Sequence, residues 1–210
     1  RLHPGDEFKV IYNEKSVEGT PYAVGGISSA WFKHQGHEFY AFQYALDSTG
    51  TQIGFFNEEG KEMRRPFLMA PVKYSRISSG YSGRRFHPVQ KRWKAHLGTD
   101  YAAPKGTPIM STANGTVIAA SYTSGNGNYV KVKHDDTYTT QYLHMTGFAE
   151  GIRKGVYVEQ GQTIGYVGST GLATGPHVCY RFWKNGKQID HRAEKFPTSV
   201  PMVDSLLPSY

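Results

Sequence analysis

Two short motifs hold residue types that a metal would choose. His96-Leu-Gly-Thr-Asp100 supplies an imidazole and a carboxylate. His177-Val-Cys179 follows about eighty residues later and contains the only cysteine of the chain. One imidazole, one carboxylate and one thiolate complete three corners of a zinc tetrahedron and leave the fourth for water, the layout of a hydrolase. Each piece also has a plainer explanation. A histidine near a carboxylate is common on surfaces, and a free cysteine is usually a buried small hydrophobe. His177 after Pro176 could be a turn residue satisfied by backbone. Gly98 and Thr99 argue against a helix across the first pair. In an extended segment the even spacing puts His96 and Asp100 on one face, and His177 and Cys179 likewise. His144 ends an alternating run that includes Thr140 and Tyr142; it reads either as a core or rim residue or as one for proton transfer or for hydrogen bonding to a developing oxyanion. His87, beside Pro88, fits a loop. His3, His34, His37, His134 and His191 lack a partner pattern and read as surface or structural.

The elements that must position these side chains are strands. Phe8–Tyr12, Glu38–Phe42 and Gln52–Phe56 are apolar-aromatic runs between turn residues, with a turn at Asn57–Gly60. Ala23–Phe32 is ambiguous, because Gly25-Gly26 breaks any regular pattern. Arg64–Pro71 carries two prolines and reads as a linker or a strand crossing between domains. Gly115–Ala120, Tyr129–His134, Tyr138–His144, Thr163–Val167 and Val178–Trp183 are further strands, with Asp135-Asp136 turning one hairpin and Lys184-Asn-Gly186 closing another. Met145–Gly151 could hold one helical turn. The organisation expected is a β-rich accessory domain over 1–70, a second domain over 71–193 and a proline-containing extension over 194–210. The class is all-β.

The bulk properties narrow the rest. With 210 residues, 38% hydrophobic and 14% aromatic, the chain can build a packed core and is not predominantly disordered. The net charge of +7 attracts anionic partners. Nucleic acid is disfavoured because no nucleic-acid motif accompanies the charge. A single cysteine forms no intramolecular disulfide. No run of 18 apolar residues is present, so no membrane span is expected. The opening Arg1-Leu-His-Pro-Gly, without Met or signal peptide, reads as a processed or trimmed fragment.

Taken together, Ser75 to Asp190 resembles the zinc-dependent cell-wall endopeptidases of the lysostaphin type, peptidase family M23. The resemblance rests on Arg76-Ile-Ser-Ser-Gly-Tyr-Ser-Gly-Arg-Arg-Phe-His-Pro and His96-Leu-Gly-Thr-Asp-Tyr-Ala-Ala-Pro-Lys-Gly-Thr-Pro. It continues through Ala113-Asn-Gly-Thr-Val, Gly127-Asn-Tyr-Val, Tyr142-Leu-His and Gln160-Gly-Gln-Thr-Ile-Gly. It closes with Gly168-Ser-Thr-Gly-Leu-Ala-Thr-Gly-Pro-His-Val-Cys. The first block resembles the β-rich domain that precedes the catalytic domain in Gram-negative envelope members.

The resemblance implies a curved antiparallel sheet with a metal at the floor of a narrow groove. It implies His96 and Asp100 as zinc ligands, and Cys179 at the third ligand position, where the family pattern His-x-His has its second histidine. It implies His144 and His177 as catalytic histidines. The substrate implied is the cross-linking peptide of peptidoglycan, and the location the cell envelope. Arg84, Arg85 and Arg181 are candidates to attract a carboxylate-rich peptide. The competing expectation, prompted by the cysteine, is a degenerate domain that binds the wall or activates other wall hydrolases.

Overall fold

The fold is that of a computed structural model, which describes residues 2–50, 53–73, 75–87 and 92–196. Every regular element among them is a strand, as the aromatic and β-branched residues favour, with glycine serving the turns between them. None of the described residues forms a helix long and apolar enough to cross a membrane. The chain divides into two compact units, one up to Pro66 and one over Phe67–Lys195. Of the extension expected over 194–210, residues 197–210 lie outside the described residues.

The first unit is a four-stranded antiparallel sheet in sequential order: β1 (Glu7–Val17), β2 (Thr20–His34), β3 (His37–Ala45) and β4 (Ile53–Phe56). The ambiguous segment Ala23–Phe32 lies wholly within β2. Gly25 and Gly26 do not end that strand. A Cβ at Gly25 would sit 2.7 Å from the Asn13 carbonyl oxygen, and the register with β1 shifts between Tyr12 and Glu14. The glycine thus serves a close approach at a bulge.

The second unit contains β5 (Arg76–Ser79), β6 (Ser82–His87), β7 (Arg92–His96), β8 (Thr99–Ala102), β9 (Pro108–Met110), β10 (Gly115–Thr123), β11 (Gly127–Lys133), β12 (Tyr138–Phe148), β13 (Tyr157–Val158), β14 (Thr163–Val167), β15 (His177–Lys184) and β16 (Lys187–Ile189). Ten of them form one sheet with the path β13-β10-β11-β12-β15-β8-β5. β14 joins β12 to β9, β16 pairs with β15, and β6 and β7 form a separate hairpin. Val117, Val130, Val132, Tyr142, Ile164, Val178, Tyr180 and Phe182 fill the core. The Tyr180 and Tyr142 hydroxyls both reach Thr112 Oγ1, at 2.9 and 3.0 Å, so the buried phenols stay hydrogen-bonded.

Two expectations near the motifs are corrected. Met145–Gly151 holds no helical turn; β12 runs through to Phe148, because Met145 and Phe148 pair with Val167 and Gly165 of β14. His96 and Asp100 do not share one extended segment. His96 ends β7 in the hairpin, Asp100 lies in β8 of the large sheet, and Leu97-Gly98 turns the chain between them.

Candidate metal centre and its cleft

The centre is assembled by strand register. β8 and β15 pair antiparallel with Asp100 directly opposite Cys179 and Ala102 opposite His177. Directly opposed residues present their side chains to the same face, so the carboxylate and the thiol meet without a loop between them. His96 enters from the hairpin. Its Nε2 lies 3.0 Å from Asp100 Oδ1 and 3.5 Å from Cys179 Sγ. The three donor atoms all lie within 4.8 Å of one another. Donor pairs around a tetrahedral zinc stand roughly 3.3–3.8 Å apart at ordinary bond lengths, so the spacing fits. Gly98 permits the convergence: a Cβ there would meet the Tyr180 carbonyl oxygen at 2.9 Å and Cys179 Sγ at 3.0 Å.

The chemistry of the donors also calls for a cation. Burial, reinforced by the Asp100 carboxylate, pushes the Cys179 thiol up to about 12. A thiolate here therefore needs a positive partner. Burial also pushes the Asp100 carboxyl upward, but the hydrogen-bonded His96 ring, with His177, brings it below the usual range.

Backbone carbonyls orient all three histidines. Nδ1 of His96 lies 2.9 Å from the Gly80 oxygen, Nδ1 of His144 lies 2.8 Å from that of Thr170, and Nδ1 of His177 lies 2.8 Å from that of Gly175. Each contact places the proton on Nδ1 and leaves Nε2 facing the cleft. The rings of His144 and His177 stand 4.8 Å apart, centroid to centroid, and His177 Nε2 is 3.8 Å from Asp100 Oδ1. Burial pushes His144 down to about 4, against the pull of the Thr170 carbonyl.

His144 is reached differently from the strand alternation. A regular strand would turn it the same way as Tyr142, whose hydroxyl is buried against Thr112 and Thr140. Instead His144 has φ +63°, and β12 changes partner there: Leu143 is the last residue paired with β15, Met145 the first paired with β14. The left-handed residue turns the ring into the cleft. A non-glycine residue in that conformation is strained and needs support. Its amide donates to the Asn126 carbonyl at 2.9 Å, and Thr170 Oγ1 donates to the Met145 carbonyl at 2.8 Å.

The cleft has a volume of about 310 Å³ and takes in His96, Asp100, His144, His177 and Cys179, so all five residues singled out in the sequence come together. Arg181 and Lys94 line it as well. Arg84 instead stacks on the Trp93 ring at 5.0 Å. The side chains of Arg85 and His87 lie outside the described residues. His134 and His191 are structural: His134 bridges the Asn114 carbonyl and Thr140, and His191 sits against Tyr101 at 2.9 Å. The carbonyls of Gly80, Thr170 and Gly175 went unforeseen, since a backbone acceptor leaves no trace in residue identity. Gly98 and Gly171 were the available signals.

Residues 94–191 match the family model of peptidase family M23. The chain carries a peptidase family M23 domain. Over 202 residues, 96% of its length, it is 43% identical to peptidoglycan DD-endopeptidase ShyC of Vibrio cholerae. It is 36% identical to DD-carboxypeptidase/endopeptidase Mpg of Neisseria meningitidis over 94% of its length. It spans 45% and 46% of those two relatives, so less than half of each. Among solved structures, a zinc-containing peptidase from Vibrio cholerae superposes with a TM-score of 0.59 at 31% identity, covering 94% of this chain and 59% of that one. The all-β architecture of the M23 domain agrees with the class expected from the sequence.

Proposed function

We propose that this chain is the catalytic portion of a zinc-dependent endopeptidase that hydrolyses peptide cross-links of peptidoglycan in the bacterial cell envelope. The observation that carries it is the convergence of His96, Asp100 and Cys179 on one point, with His144 and His177 beside it in the same cleft. The DD-endopeptidase names of the relatives support a cross-link involving D-alanine, the D-alanyl–diaminopimelate bond being the favoured form. Phe67–Lys195 is then the peptidase domain, preceded by a β-rich accessory unit.

His96, Asp100 and Cys179 would hold the zinc. When bound there, zinc supplies a water acidified toward ~7 and a Lewis acid for the peptide carbonyl. His144 and His177 do the rest from Nε2. With Nδ1 committed to a carbonyl, Nε2 is the ring atom that meets the reaction: it can accept a proton from water and, once protonated, donate a hydrogen bond to the oxygen that becomes negative. The close ring pair lets one histidine take the proton while its neighbour orients the reacting oxygen. The cleft's basic residues favour a carboxylate-bearing peptide over a neutral one.

The degenerate alternative is not favoured. All five positions are present and assembled, and the relatives at 43% and 34% identity are named as DD-endopeptidases. Zinc per chain, measured by elemental analysis, is expected near one. Defined cross-linked muropeptide dimers should be cut to monomers by the protein as purified. His177→Ala should slow cutting by about 10²–10⁴-fold while the zinc remains. A protein that holds no zinc and leaves the dimers intact refutes the proposal.

A further inference from the structure

On β15 one more side chain continues the row of His177 and Cys179. Alternate residues of a strand share a face and stand about 6.6–6.8 Å apart, so Arg181 follows Cys179 on the cleft side. It lines the cleft. Its stem runs beside the sulfur, since a Cβ at Gly98 would lie 3.0 Å from both Arg181 Cγ and Cys179 Sγ. Among the described residues the cleft lining contains one carboxylate, Asp100, which lies 3.0 Å from His96 Nε2. Among the described residues Arg181 has no acidic partner. An arginine fork without a carboxylate, next to the donors, is matched to a carboxylate brought by something else. Lys94 adds only a point charge.

The substrate class narrows which carboxylate this is, and the inference therefore rests on the endopeptidase proposal. In a D-alanyl–diaminopimelate cross-link, the acid nearest the scissile bond stands on the carbon bearing the leaving nitrogen. Its carboxyl carbon lies only ~2.5 Å from that nitrogen by ordinary bond lengths. A group reading it must stand about one strand spacing from the metal donors, on their face, as Arg181 does. We propose that Arg181 binds the carboxylate on the carbon carrying the leaving nitrogen, and so selects cross-links in which that acid is free. Amidation of the same position removes the charge and one acceptor oxygen of the fork.

The test uses the zinc-loaded protein and two cross-linked dimers that differ only in this group, free acid or carboxamide. The wild type is expected to prefer the free acid in kcat/KM by about 10–100-fold, the range for a charged hydrogen-bonded contact, mainly through KM. Arg181→Gln should make the two dimers equivalent while zinc content stays the same, and Arg181→Lys should restore part of the preference. Equal cutting of both dimers by the wild type overturns the assignment and leaves the endopeptidase proposal standing. A uniform loss on both dimers in Arg181→Gln also overturns it, since that marks a purely structural role. If neither dimer is cut by the wild type, the endopeptidase proposal fails and this assignment fails with it.

Discussion

At the scale of single residues, Cys179 has the most to decide. Its sulfur stands directly across from Asp100 and 3.5 Å from His96 Nε2. Cys179→Ser should therefore lower zinc affinity by more than the about 10–100-fold typical of a lost supporting contact, read by competition with a chromophoric chelator. A cobalt-loaded protein should show a sulfur-to-metal charge-transfer band that Cys179→His lacks. A thiolate donates more charge than neutral imidazole, so Cys179→His should also bind a more acidic water. His144→Ala and His177→Ala should each keep the metal and lose about 10²–10⁴-fold in kcat. These residue types were legible in the sequence because ligand chemistry restricts which side chains can serve. Arg181 was legible only as one of three arginines that could attract a carboxylate-rich peptide; that it lines the cleft while Arg84 stacks on Trp93 is a property of the assembled fold.

The elements explain how the residues arrive. Antiparallel register places Asp100 against Cys179, and β-patterning made eight of the sixteen strands among the described residues readable in advance, though not β7 and β8, which carry His96 and Asp100. The path of β12 was not readable. Alternation assigns His144 to the core side, whereas the left-handed φ at the point where β12 changes partner sends it to the cleft. That conformation depends on a loop 26 residues away, whose Thr170 carbonyl accepts the His144 proton. Gly171 keeps this loop in place: its φ is +71°, and a Cβ would meet the Gly127 backbone. Gly171→Ala should thus displace Thr170 and cost roughly 1–3 kcal/mol of stability, measured by urea unfolding. Peptidase activity should fall more than zinc content, because His144 is outside the ligand set. Gly98→Ala should do the reverse and reduce zinc content first, since its Cβ would press on Cys179 Sγ.

For the whole molecule, buried histidines away from the cleft tie stability to pH. Burial pushes His191 down to about 4 from its ordinary 6.5, and His134 is lowered in the same way. Below pH 6.5 the unfolded chain takes up protons that the folded one refuses. Stability from these groups is therefore complete above pH 6.5 and is lost as pH falls toward about 4. The loss from His191 is on the order of 3 kcal/mol. His191→Gln should flatten the difference between unfolding midpoints at pH 7 and pH 4.5 relative to the wild type. The sequence left both histidines as surface or structural residues, and their burial follows from how the sheet closes over them. The separation of the metal donors along the chain has a different consequence. His96 and Cys179 are 83 positions apart, so an ion held by both is a removable cross-link closing a long loop. Free zinc at about a thousand times its dissociation constant would add about 4 kcal/mol to folding. The half-life of the unit under a protease should then lengthen with zinc supply, making turnover of the protein a readout of the metal available around it.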